Sequence, residues 1–142
     1  MEIQNQVQTY PGQLVLKEKI FKQGKAVNKN TQERLVTLTE HKLKWFHNEK
    51  EFKANEFLGM VNLPFIYAIV KSKQARNERP TFMISVTMYT DAEGKERSKR
   101  DIYFSCSTAE ARDRWMIAIE FLKAKATIDQ YQKNNGLLHT AL

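Results

Sequence analysis

The sequence predicts a mostly β domain, a seven-stranded antiparallel β-sandwich or partly open barrel capped at one end by a C-terminal α-helix. Three observations predict it. Apolar residues recur at alternate positions, in short runs separated by turn formers, as far as Cys106. No helical pattern separates these runs, which excludes a βαβ fold and favours antiparallel pairing through short turns. After Cys106 the apolar spacing changes to about 3.6 residues. A chain of 142 residues, 42% apolar and 27% charged, is sized for one core, and neither a metal nor a disulfide is needed to hold it. The single cysteine fits a reducing compartment.

Residues 1–13 are polar, aperiodic and contain Pro11-Gly12, so they are expected to be a flexible lead-in to a domain spanning 14–133. The first strand is expected over 14–22, with Leu16, Ile20 and Lys22 sharing a face. Turn formers Gly24, Asn28 and Asn30 lead into a second strand over about 32–39. A third, over 42–47, carries Leu43, Trp45 and Phe46, and the mixed-charge stretch 48–56 reads as a loop. A fourth strand over 57–63 ends at Pro64, and the apolar run 65–70 makes the fifth. After a basic connector over 71–80, Phe82, Ile84, Val86 and Met88 alternate in the clearest strand of the chain. Residues 91–94 supply a turn, and a seventh strand is expected over about 99–106.

Ser107 followed by Glu110 has the form of a capping box, predicting a helix from about 108. Ala111, Trp115, Ala118, Ile119 and Leu122 make its apolar stripe, with Trp115 as the largest group plugging the space between the sheets. Helix is expected to about 133, where Asn134-Asn135-Gly136 gives a stop, leaving 134–142 as a flexible tail.

Charge narrows the function classes. Twenty-three Lys and Arg against sixteen acids give a net +7, which favours an anionic partner. The longest uncharged stretch, 57–70, is too short to span a bilayer, and no secretory signal or myristoylation site is expected from the first residues. His41, His47 and His139 have no metal-ligand spacing with Cys106, so no metal or cofactor is expected. Gly94-Lys95 lacks the rest of a phosphate-binding nucleotide loop, no local nucleophile motif is present, and no catalytic residue is assigned. No aromatic ribonucleoprotein motif or basic recognition helix appears, so no nucleic-acid partner is expected. Thr140-Ala141-Leu142 has the pattern of a C-terminal ligand for a PDZ domain.

Five fragments, in order, carry a resemblance to a known family: Ile20-Phe21-Lys22-Gln23-Gly24-Lys25, Arg34-Leu35-Val36-Thr37-Leu38-Thr39, Leu43-Lys44-Trp45-Phe46, Leu58-Gly59-Met60-Val61-Asn62-Leu63, and Arg114-Trp115-Met116-Ile117-Ala118-Ile119 with the tryptophan typical of the helix. Over about 14–125 the chain resembles the pleckstrin homology (PH) domain family. The resemblance implies a non-catalytic, lipid-reading signalling adaptor that binds phosphoinositide head groups at the open end, among the loops joining strands one to two, three to four and six to seven. The lipid-binding pattern has Lys at the end of the first strand, then a basic residue, any residue and Arg. Here it reads Lys22, then Gln32, Glu33 and Arg34, with neutral Gln32 as the departure. Lys22 and Arg34 have inward parity and are expected to converge on one anion, Arg by two parallel hydrogen bonds and Lys as a compact charge.

Lys25 and Lys29 lie on the first loop, and Lys44 resembles the third-strand position adjacent to the pocket. Lys95, Arg97, Lys99 and Arg100 would border it from the sixth-to-seventh connection, where four acids balance four bases. Lys71, Lys73, Arg76 and Arg79 make a second basic surface. Trp115, Trp45 and Phe46 read as packing rather than ligand contacts. The expected partners are therefore anionic phospholipids, phosphoinositides or phosphatidic acid, at the cytosolic face of a membrane from a cytoplasmic pool. A protein-interaction module on the same fold is the alternative.

Overall fold

The structure, a computed structural model, describes residues 14–23, 31–72 and 79–134. The expected lead-in, the first-loop residues Lys25 and Lys29, Lys73 and Arg76, and all but the first residue of the expected tail lie outside these. Seven strands follow in order: β1 (Leu14–Gln23), β2 (Thr31–Thr39), β3 (Lys42–Phe46), β4 (Gly59–Asn62), β5 (Ile66–Ser72), β6 (Thr81–Asp91) and β7 (Glu96–Ser105). A short helix α1 (Glu49–Lys53) sits between β3 and β4, a 3-10 turn (Leu63–Phe65) precedes β5, and α2 (Ala109–Asn134) closes the fold. The strands form one antiparallel sheet in the order β4-β3-β2-β1-β7-β6-β5. A further β4–β6 pairing, Gly59 with Asp91 and Met60 with Thr90, curls the sheet round on itself. The mostly β architecture expected from the sequence is therefore the one observed.

The core follows from the pleat. Ile20, Val36, Leu38, Leu43, Ile84 and Ile102 each lie on the concave face, where α2 adds Trp115, Ile119 and Leu122 from one stripe. Val36 and Leu38 alternate with Leu35 and Thr37, yet all four are buried, because the convex face of β2 is covered too. Leu35, Phe46 and Phe52 form a second small core there, with the Phe46 and Phe52 rings edge to face at 5.4 Å. Phe52 comes from α1, within the stretch expected to be loop. Asn48 caps that helix, its Oδ1 accepting from the Glu51 N–H at 3.0 Å. One apolar residue among charges leaves too weak a period to announce five helical residues.

Other boundaries shift for similar reasons. The start of α2 is capped by Thr108, whose Oγ1 accepts from the Ala111 N–H at 3.0 Å, rather than by Ser107. β4 is shorter than expected, its end set by the turn containing Pro64. β7 starts at Glu96, because backbone pairing of Ser98, Arg97 and Glu96 with Met88, Tyr89 and Thr90 continues past the buried, alternating part. Among the described residues no helix is long and apolar enough to cross a membrane.

Candidate functional site

A cavity of about 250 Å³ opens at the rim of the curled sheet, among Lys22, Gln32, Arg34, Trp45, Tyr89 and Arg100, with Leu58 and Asp91 completing its wall. Register places the first three. Lys22 on β1 pairs with Gln32 on β2, and Ile20 pairs with Arg34, so Lys22 and Arg34 extend the inward face beyond buried Ile20. Arg100 extends the inward face of β7 in the same way, two residues before buried Ile102. Three cations thus arrive from three strands at one concavity.

The setting is felt most by Lys22. Burial, reinforced by the Arg100 and Arg34 charges, lowers its ammonium from the usual 10.5 to about 8. Its Nζ lies 5.4 Å from the centre of the Trp45 ring, a cation–π contact that partly offsets the cost. Arg100 stacks over Tyr89, its guanidinium carbon 5.2 Å from the ring centre. Arg34 is held by its own strand: one guanidinium nitrogen donates to the Glu33 carbonyl at 3.0 Å and the other donates to Gln32 Oε1. The residue that breaks the family's basic pattern therefore orients the arginine two positions on. A second charge here would have added to the repulsion already acting on Lys22, whereas the amide oxygen accepts from Arg34.

Asp91 is the acid in the wall, and its carboxylate already has donors. Oδ1 accepts from the N–H groups of Glu93 and Lys95, both at 2.9 Å, and Oδ2 accepts from Arg97 Nε at 2.8 Å. The Arg97 hydrogen bond, followed by that from Lys95, holds the Asp91 carboxyl below the usual range. Gly94, at φ 82°, supplies the left-handed residue this tight turn requires.

The sequence-predicted residues divide accordingly. Lys22 and Arg34 come together, and Arg100 joins them. Arg97 is spent on Asp91, and Lys95 and Lys99 point to solvent along the hairpin outside the cavity wall. Lys44 is turned towards the end of α1, its Nζ donating to Asn55 Oδ1 at 2.9 Å and lying 5.6 Å from the Phe57 ring centre. Of the second basic surface, Lys71 faces Asp113 at 3.8 Å and the Arg79 guanidinium stacks 3.6 Å from the Phe21 ring centre. Trp45, expected only to pack, both packs and floors the cavity; its place two residues after inward Leu43 is the signal that locates it.

Gly59 keeps that floor in place. It pairs with Trp45 across β3 and β4, and a Cβ there would reach Cη2 of the ring at 2.8 Å and two neighbouring ring atoms closer still. We expect Gly59→Ala to push the indole towards Lys22 and to cost roughly 1–3 kcal/mol, read as a lower urea midpoint. An unchanged midpoint would mean the ring has room to yield.

Among the described residues no group of three or more His, Cys, Asp or Glu side chains is placed to hold a metal ion. Burial, with the Glu18 charge adding to it, pushes the Cys106 thiol up to about 11, so it stays a neutral thiol at ordinary pH.

A curled seven-stranded sheet plugged by a helix, with a cationic mouth at its rim, defines a small binding module. The sequence profile of the PH domain matches residues 12–124, and the chain belongs to the PH domain family. Solved structures agree on the fold. The DH/PH domains of p115-RhoGEF superpose with a TM-score of 0.56 at 14% identity, over 79% of this chain and 29% of that one. The DH/PH domains of PDZ-RhoGEF, solved in complex with GTP-γ-S-activated RhoA, give 0.59 at 14% identity, over 80% of this chain and 30% of that one. This chain thus corresponds to about a third or less of those chains. No curated protein matches it by sequence. PH domains in general are non-catalytic modules that bind lipids or proteins.

Proposed function

We propose that the protein is a non-catalytic module that attaches reversibly to the cytosolic face of anionic membranes by holding an acidic phospholipid head group, a phosphoinositide or phosphatidic acid, in the cavity of Lys22, Arg34 and Arg100. The observation that supports this reading is the convergence of three cations on one cavity, where burial, with the Arg100 and Arg34 charges adding to it, lowers Lys22 to about 8, and where the carboxylate in the wall, Asp91, is bonded to Arg97. A phosphate brought there relieves the repulsion, and a guanidinium can grip it through two hydrogen bonds. Each basic group near an anionic surface contributes on the order of 1 kcal/mol, sufficient together for reversible and salt-sensitive attachment. Lys25 and Lys29, which follow β1 in sequence, would add to the attraction.

Sedimentation with vesicles tests this. Phosphatidylcholine vesicles carrying a phosphoinositide or phosphatidic acid are expected to retain the protein at low salt and to release it as salt rises. Lys22→Ala with Arg34→Ala should weaken retention by roughly tenfold or more. Retention no greater than on pure phosphatidylcholine would defeat the lipid reading. The second reading is a protein-binding module, favoured by neutral Gln32 in the basic pattern and by the RhoA complex of the PDZ-RhoGEF domains. A pull-down partner retained by the double variant would select it.

A further inference from the structure

The long helix α2 carries two apolar stripes on opposite sides. Trp115, Ile119, Leu122 and Ala126 are buried against the sheet, and two residues further round from each lie Ile117, Phe121, Ala124 and Ile128, all exposed, followed by exposed Tyr131. Ile117 and Phe121 are 68% and 66% exposed, a prominent apolar pair on the outer face of the helix. The outer stripe is spaced four, three, four, three, the repeat of a two-stranded coiled coil.

We propose that this outer stripe of α2 is a dimerisation seam that packs in parallel on the same stripe of a second copy of this chain. Charge supports that occupant. In a parallel pair, the residue flanking the seam before Phe121 faces the one five positions later on the other helix, which sets Glu120 against Lys125 of the second copy, twice by symmetry. Lys125 now lies 3.2 Å from Asp129 and 3.9 Å from Glu40, exposed contacts that cost little to exchange. The sheet leaves the approach open, since it covers only the opposite stripe. Beside the ridge of Ile117 and Phe121 run two shallow grooves, one bordered by Lys71 and Glu120 and the other by Val15 and Arg114.

The proposal is independent of lipid and is tested without it. Sedimentation equilibrium of the full chain from roughly 1 µM to 1 mM should show monomer and dimer exchanging. Phe121→Glu, a surface change that should leave the melting curve intact, should weaken dimerisation at least about tenfold. Glu120→Lys should weaken it, and Glu120→Lys with Lys125→Glu should restore it. Ile117→Cys should form an intermolecular disulfide under mild oxidation, because a parallel seam sets position 117 against itself whereas an antiparallel one separates the two by about 20 Å. A chain that remains monomeric throughout, as it would with its own terminal residues covering the stripe, overturns the proposal. So does a dimer indifferent to Phe121→Glu, a failed charge swap, or absence of the cross-link.

Discussion

Trp115→Ala is expected to remove about 3–5 kcal/mol of stability, a large part of the 5–15 kcal/mol typical of a domain, and to leave the chain partly unfolded at physiological temperature. The indole is completely buried in the main core, so deleting it opens a cavity that packed strands cannot close. It also ties helix to sheet. Nε1 donates to Glu18 Oε1 on β1 at 2.8 Å, and the other oxygen of that carboxylate accepts from Arg114 at 2.6 Å. Neighbouring residues of α2 thus clamp one carboxylate from opposite ends of the chain. Trp115→Phe separates the two contributions: it keeps most of the ring volume and loses the indole donor, for an expected cost of roughly 1–3 kcal/mol. Urea unfolding measures both. If the alanine variant lost no more than the phenylalanine one, the cavity argument would fail and the indole N–H would be the main tie.

What could be read from the sequence was whatever repeats. Alternation found the inward faces of β1, β2 and β6, because a strand with one buried face must alternate, short apolar runs between turn formers found the other strands, and helical spacing found the stripe around Trp115. The helix α1 escaped because it buries only Phe52, and one residue has no period. At the site, parity sufficed for Lys22 and Arg34, whose neighbours Ile20 and Val36 mark the inward face. Counting charge along the β6–β7 hairpin could not separate its four cations. The selection there is made by hydrogen bonding: Asp91, needed to shape the turn, also takes Arg97, and leaves Arg100 as the hairpin cation in the cavity wall. Gln32 illustrates the same limit, since a neutral residue in a basic pattern reads as a lost charge until its amide oxygen is found bonded to Arg34.

Binding of the proposed head group is expected to depend on pH through Lys22, in a direction that distinguishes it from an ordinary surface lysine. In the folded protein its pKa is about 8, lowered by burial and by Arg100 and Arg34, against 10.5 in an unfolded chain. Between those values the unfolded chain holds a proton that the native one has released, so stability rises with pH across this window. Below about 8 the charged ammonium imposes its full cost, on the order of 3 kcal/mol, and Lys22→Met should recover much of it at neutral pH. Phosphate reverses the preference. An anion beside Lys22 favours the ammonium, so binding above pH 8 must take up a proton, and affinity should fall by up to about tenfold per pH unit. Titration calorimetry with a soluble inositol phosphate, in two buffers of different ionisation enthalpy, should show close to one proton taken up at about pH 9 and close to none from Lys22 at about pH 6.5. Lys22→Met should bind more weakly at low pH, approach the wild type at high pH and lose the lysine-dependent uptake. Equal proton uptake by the two proteins would place the anion away from Lys22 and would leave the cavity without its proposed ligand.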